Sequence, residues 1–275
     1  MNKPFPENQW PYPRWIAHRG AGLLAPENTL AAFRAGAALG YRMFECDVKL
    51  SADDVPFLLH DDTLERTTNA VQALAAGTRM VAGQHPWSTL AALDAGSWLA
   101  TRFAGEPMPT LAAVAGFCLD RGLLLNIEIK PTTGSAYRTG QVVAHHAARL
   151  WQDAPVAPLL TSFEIAALQG AQQAQPHLPR GLLLEEPSTG WVESALQLGC
   201  IAVVCPYEQW DGPRVAQARA AGLRVLSYTV NDECPPGSVF TGVAAATGCL
   251  RTQPPAPDRS ASCHQHPTTP AQHPA

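Results

Sequence analysis

From residue 14 to about residue 233 one pattern repeats: a short apolar run, then a stretch with helical spacing. The apolar runs predict strands at 14–19, 41–48, 123–130, 157–162, 180–184, 200–205 and 223–230. Helices are expected from Pro26-Glu27-Asn28-Thr29 to Gly40, then over 110–121, 135–152, 164–174, 188–198 and 212–221. Seven strands alternating with helices predict a parallel β/α array. Right-handed crossovers leave two ways to build it, a doubly wound sheet or a barrel. The length of 275 residues suits one barrel, which takes roughly 250 residues. An apolar fraction of 46% is enough for its core.

Three segments fall outside the repeat. Residues 1–13 form a polar, proline-bearing extension. After an extended piece at 55–60, residues 61–109 are irregular, with glycine and proline turns and two tryptophans, Trp87 and Trp98. So long an interruption is expected to be a small functional lobe over the site. From residue 234 the composition changes, and the proline-, serine- and histidine-rich stretch to residue 275 reads as a disordered tail. An eighth strand is therefore expected to be atypical or missing, with 238–246 as a poor substitute.

Chemistry-bearing residues gather at predicted strand ends. His18-Arg19-Gly20 closes the first strand, Glu45-Cys46-Asp47 lies in the second, and His60-Asp61 ends the extended piece. Asn126-Ile127-Glu128-Ile129-Lys130 completes the set. Residues two apart on a strand share a face, so Glu45 joins Asp47, and Glu128 joins Lys130. In a barrel those faces converge on one mouth. A lone carboxylate is more often a salt-bridge partner, but three together repel one another unless a cation lies among them. An all-oxygen set favours Mg2+ or Ca2+. His18 and His60 beside such a cluster supply the proton acceptor and donor that cleaving a phosphodiester requires. Arg19 and Lys130 suit the phosphate oxygens. The competing reading of Arg19 is an ion pair with Glu27 or Asp61. HRGAG lacks the GxGxxG spacing of a dinucleotide loop.

Bulk properties narrow the partners. A formal charge of −4 gives no electrostatic footprint for nucleic acid or an anionic membrane. A small-molecule substrate is expected, and no apolar run is long enough to span a bilayer. The N-terminus lacks an apolar leader, and seven irregularly spaced cysteines form no CxxC pair, so a cytoplasmic location is expected.

The quoted residues carry a resemblance. HRGAGLLAPENTLAAF, ECDVKLSADDVPFLLHDDTLERTT, NIEIKP and SYTVND resemble glycerophosphodiester phosphodiesterases of the bacterial cytoplasmic type. The resemblance implies a TIM barrel with a subdomain inserted after the second strand. It implies metal-dependent hydrolysis of glycerophosphocholine, glycerophosphoethanolamine and similar diesters to sn-glycerol 3-phosphate and an alcohol. Glu45, Asp47 and Glu128 would hold the metal. His18 and His60 would be general base and general acid, and Arg19 and Lys130 would contact phosphate. Tyr228 stands where the family usually has tryptophan, which keeps an aromatic wall. The family's closing GVDGIFTD-like strand is not recognisable. Two alternatives remain at this point: a lysophospholipase D-like phosphodiesterase, and an inactive barrel damaged at its C-terminus.

Overall fold

A computed structural model describes residues 10–230 and 248–251. In chain order the elements are β1 (Trp15–Ala17), α1 (Leu30–Ala38), β2 (Met43–Leu50), β3 (Pro56–Leu58), α2 (Ala70–Ala73), α3 (Trp87–Leu90), α4 (Leu111–Leu119) and β4 (Leu124–Ile129). They continue as α5 (Ala136–Leu150), β5 (Leu159–Ser162), α6 (Ile165–Ala174), β6 (Arg180–Leu183), α7 (Trp191–Gln197), β7 (Ala202–Pro206), α8 (Gly212–Ala220), β8 (Arg224–Tyr228) and β9 (Gly248–Arg251).

Eight strands pair in a ring, all parallel. β1 lies beside β2, β2 beside β4, and the order runs on through β8 to β9, which returns to β1. This is the TIM-barrel topology. β3 lies outside the ring, antiparallel to β2. The eighth position, expected to be atypical or missing, is held by the four residues of β9. They pair Leu226 with Gly248 on one side and Trp15 with Cys249 on the other. These four residues fall in the range read as tail, whereas 238–246 lies outside the described residues.

The sequence of β2 shows how the barrel points its side chains. Every residue of MFECDVKL is buried, as expected of a strand covered on both faces. Phe44, Cys46, Val48 and Leu50 pack outward with Phe33 of α1, Leu111 and Val114 of α4, and Val143 of α5. Met43 points inward, into an apolar layer with Ile16, Leu159, Leu183, Val204 and Leu226. Alternation then places Glu45, Asp47 and Lys49 inward as well, in successive layers above Met43. The opposite end of the barrel is closed by Trp10 and Tyr12, and the Tyr12 hydroxyl donates to Ala157 O at 2.9 Å.

α1 begins later than its sequence predicts. Thr29 is the N-cap, its hydroxyl accepting from Ala32 N, and the helix starts at Leu30. Pro26, Glu27 and Asn28 belong to the preceding loop, and Asn28 has a left-handed backbone with φ 57°. Between β3 and α4 the chain makes its excursion. Leu64, Ala70, Ala82, Leu90, Leu93 and Met108 form a separate apolar cluster against Phe57 and Leu59. Trp87 packs on Phe57, while the Trp98 indole donates to Ala95 O. The excursion returns beside its start, where Leu58 N donates to Pro109 O.

Candidate active site

The registers of β2 and β4 create the acidic centre. Asp47 lies opposite Glu128, and Glu45 opposite Asn126. A carboxylate oxygen from each of Glu45, Asp47 and Glu128 lies within 4.8 Å of the others, and all three residues are buried. Burial, with Asp47 and Glu128 close by, pushes the Glu45 carboxyl well above its ordinary range. Burial and Asp47 push Glu128 up to about 7. Burial acts on Asp47 in the same direction but is outweighed by Arg19, Lys130, His60 and the Asn28 amide, so its carboxyl is lowered.

The donor set fits a hard divalent cation. Glu45 Oε1 and Asp47 Oδ1 are buried and accept no hydrogen bond. Buried carboxylate oxygens are rarely left so, because an unsatisfied anion costs several kcal/mol at least. A cation held by Glu45, Asp47 and Glu128 would satisfy both oxygens, and an all-carboxylate set is the chemistry of Mg2+ or Ca2+ rather than of zinc.

Cationic and histidine side chains surround this centre. His18 follows β1 and brings Nε2 to 3.8 Å from Glu45 Oε2. Burial and the Arg19 charge lower its pKa to about 4. Arg19 has φ 52°, which turns its backbone N–H onto Glu45 Oε2 at 3.0 Å. Its guanidinium donates to Glu27 Oε1 at 2.9 Å and lies 3.3 Å from Asp47 Oδ2. Of the two ion pairs weighed from the sequence, Arg19 makes the one with Glu27. Lys130 Nζ donates to Glu128 Oε1 at 3.2 Å and lies 3.6 Å from Asp47 Oδ1. His60 Nδ1 lies 2.7 Å from Asp61 Oδ1. His18, Arg19, His60, Glu128 and Lys130 line one cleft of about 770 Å³. Its far wall includes Phe163, Glu164, Glu185 and Tyr228, with the two aromatic rings edge to face at 5.9 Å.

Sequence reasoning missed the residues that hold the others in place. Asn28 is buried; its amide donates to Asp47 Oδ2 at 2.8 Å and its Oδ1 accepts from Asp47 N at 3.1 Å. Because β1 ends at Ala17, Asp47 lies beyond the strand pairing on that side, and the Asn28 side chain supplies the missing acceptor. Asn is among the few residues that tolerate φ 57°, so an Asn just before a helix cap was the available signal. Lys49 is fully buried, donating to Asp62 Oδ1 at 2.7 Å and Lys130 O at 3.2 Å. Arg66, in the excursion, pairs with both Glu27 and Asp61.

Comparison with known proteins settles the lineage. A model of the glycerophosphoryl diester phosphodiesterase family matches residues 18–253. The chain belongs to this family. It is 34% identical over 219 residues to a glycerophosphodiester phosphodiesterase of Caldanaerobacter subterraneus, covering 78% of this chain and 85% of that one. A solved Oleispira antarctica phosphodiesterase, in complex with the product sn-glycerol-3-phosphate, superposes with a TM-score of 0.76 at 30% identity, covering 88% of this chain and 94% of that one. A human glycerophosphoinositol inositolphosphodiesterase, GDPD2, is 43% identical over 97 residues, a stretch that spans 35% of this chain and 18% of that protein. As a member of this family the protein is an enzyme, and its barrel is the family's. Among the described residues, no helix is long and apolar enough to cross a membrane.

Proposed function

We propose that this enzyme hydrolyses glycerophosphodiesters to sn-glycerol 3-phosphate and an alcohol, with a divalent cation, Mg2+ or Ca2+, held by Glu45, Asp47 and Glu128. The observation that carries the reading is the pair of buried oxygens on Glu45 and Asp47 that accept no hydrogen bond, beside a cleft lined by two histidines and two cations. When bound, the cation supplies charge neutralisation at the phosphoryl group. Arg19 and Lys130 contact the phosphate oxygens and orient the diester. His18, its pKa lowered to about 4 by burial and Arg19, is neutral at pH 7 and so able to take the proton of the attacking oxygen as general base. His60 delivers a proton to the departing alcohol oxygen as general acid. Burial, with the Arg19 and Lys130 charges, outweighs Asp47 and Asp61 and lowers the His60 pKa. The charge of an incoming phosphate diester acts in the opposite direction, toward the protonated form that donates.

The far wall of the cleft supports a cationic alcohol, as in glycerophosphocholine and glycerophosphoethanolamine. Two aromatic rings, Phe163 and Tyr228, and the carboxylates of Glu164 and Glu185 line that wall, a combination of groups that suits an ammonium. One observation favours a second reading, on lysophospholipids: Leu23 and Leu24, in the loop between β1 and α1, are 73% and 45% exposed. Four unpaired buried cysteines among the described residues support a reducing, cytoplasmic setting.

The test is release of glycerol 3-phosphate from glycerophosphoethanolamine by the purified chain, with Mg2+, with Ca2+ and with chelator. A lysophospholipid arm runs in parallel. Cation-dependent release that falls about 10²–10⁴-fold in His18→Ala and in His60→Ala is expected. Release that ignores chelator, or both variants turning over at the wild-type rate, overturns the assignment.

A further inference from the structure

Four charged side chains and the His60 imidazole form a continuous chain beside the cleft. Arg19 Nη1 donates to Glu27 Oε1 at 2.9 Å. Glu27 receives two more bonds from Arg66, Nη2 to Oε1 at 2.8 Å and Nη1 to Oε2 at 2.9 Å. Arg66 donates on its other edge to Asp61, Nε to Oδ2 at 2.5 Å and Nη2 to Oδ1 at 2.9 Å. Asp61 Oδ1 ends the chain at His60 Nδ1, 2.7 Å away. Both Arg66 contacts are therefore two-pronged, a geometry that fixes the plane of each carboxylate as well as its distance.

The chain specifies the protonation of one imidazole. The Arg66 hydrogen bonds hold the Asp61 carboxyl well below the usual range, so it is an anion that only accepts. The nitrogen facing it, Nδ1, must then carry a hydrogen. Nε2 is left as the nitrogen that gains and loses a proton, on a residue that lines the cleft. The same guanidinium that fixes Asp61 is tied through Glu27 to Arg19. The segment containing Arg66 packs on its own apolar cluster, away from the barrel interior.

We propose that Asp61, Arg66 and Glu27 are positioning residues: Asp61 sets the His60 tautomer, Arg66 sets Asp61, and Glu27 locks that assembly to Arg19. The acid/base histidine and the phosphate-binding arginine are thereby held in one frame by a link supplied from the excursion after β3. This inference rests on the roles given above to His60 and Arg19.

The experiment pairs kinetics with side-chain nitrogen NMR of the full chain, labelled at histidine. In the wild type at high pH, His60 is expected with hydrogen on Nδ1 and a bare Nε2. Asp61→Asn is expected to reverse or mix the tautomer and to lower kcat roughly 10²-fold or more, within the range of a lost proton-transfer catalyst. Arg66→Met is expected to mix the tautomer and lower kcat roughly 10–100-fold, the usual cost of removing an outer hydrogen-bond partner in such sites. KM should change little. Arg66→Lys, which keeps the charge but loses the fork, is expected to fall between. Glu27→Gln should raise KM as well as lower kcat, because Arg19 loses its anchor too. Arg66 is 44% exposed, so its truncation opens no buried cavity, and an unchanged melting temperature establishes that the variant is folded. A wild-type tautomer in folded Arg66→Met and Asp61→Asn overturns the inference, as does a change in KM alone. A wild-type chain that shows the expected tautomer but releases no glycerol 3-phosphate sinks the proposed reaction and leaves the positioning of His60 standing.

Discussion

Asn28 is the place where backbone and site chemistry are most tightly bound together, and its substitution separates the two. Asn28→Ala removes the amide bond to the Asp47 carboxylate at 2.8 Å and the acceptor for Asp47 N at 3.1 Å. A hydrogen bond to a charged group contributes about 1.5–3 kcal/mol, and a buried N–H left without a partner costs about 1–3 kcal/mol. Alanine at φ 57° adds roughly 1–2 kcal/mol that asparagine largely escapes. Allowing for overlap among these effects, Asn28→Ala should destabilise the chain by about 3–6 kcal/mol, a large part of the ~5–15 kcal/mol typical of a domain. Asn28→Gly loses the same two bonds but accepts the left-handed backbone freely, so it should be about 1 kcal/mol more stable than Asn28→Ala. The assay is urea unfolding at pH 7.5 in chelator, reading the midpoint at unchanged slope. The order wild type, then glycine, then alanine is expected. Glycine matching the wild type would refute the claim that the side chain stands in for a missing strand partner. Alanine matching glycine would refute the backbone part.

Two further predictions concern the acidic centre and the turn that leads to it. Glu128 has its pKa raised to about 7 by burial and Asp47, against an ordinary value near 4.5, so the metal-free folded state holds this proton more tightly than the unfolded chain does. The stability it contributes is complete below pH 4.5 and is lost as pH rises through 7. The melting temperature in chelator should therefore fall from pH 5 to pH 8, and the rise produced by Mg2+ or Ca2+ should be larger at pH 8 than at pH 5.5, since binding needs the ionised carboxylate. A cation-induced rise that is equal at both pH values would contradict this. Gly20 has φ 95°, and a Cβ there would lie 2.7 Å from Ala32 Cβ and 2.9 Å from Ala32 C, whereas Gly40, at φ 89°, has nothing within 4 Å. Gly20→Ala should cost ~2–4 kcal/mol, from strain and overpacking together, and Gly40→Ala about half of that; thermal melts showing equal losses would count against the clash.

The barrel was legible because its strands advertise themselves. LLLNIEIK and CIAVVC are apolar runs of strand length, and the structure places β4 and β7 within a residue or two of where these runs lie. The strand β9 was not legible for the opposite reason. Gly248–Arg251 is too short to show alternation, and it is a strand because β8 and β1 hydrogen-bond it from both sides. The start of α1 was misplaced because proline and an acid before a helix also suit a loop, and here Asn28 leaves the helical region to reach Asp47. At the site, period-two spacing brings Glu45 beside Asp47 and Glu128 beside Lys130, so these groupings follow from strand geometry alone. The partners Asn28, Arg66 and Lys49 did not, since each depends on a contact between segments 13 to 39 residues apart.

Three buried carboxylates would, unaided, destabilise the end of a barrel, and the chain answers them in two ways. Asp47, the most central, is matched from outside β2 by two charges, Arg19 after β1 and Lys130 after β4, and by a hydrogen bond from the neutral Asn28 amide. Its carboxyl is consequently lowered, and it is the anion that the protein itself keeps ionised. Glu45 and Glu128 are left short of countercharge, and their raised carboxyls show it. A core designed for stability alone would pair or replace them, so this local conflict marks where function has been placed. Under the proposed function the shortfall would also give a divalent cation its grip, because the free energy the two glutamates lack in its absence would be recovered on binding. By this reasoning, adding a protein cation next to Glu45 would raise the stability of the metal-free chain and weaken its hold on the metal together.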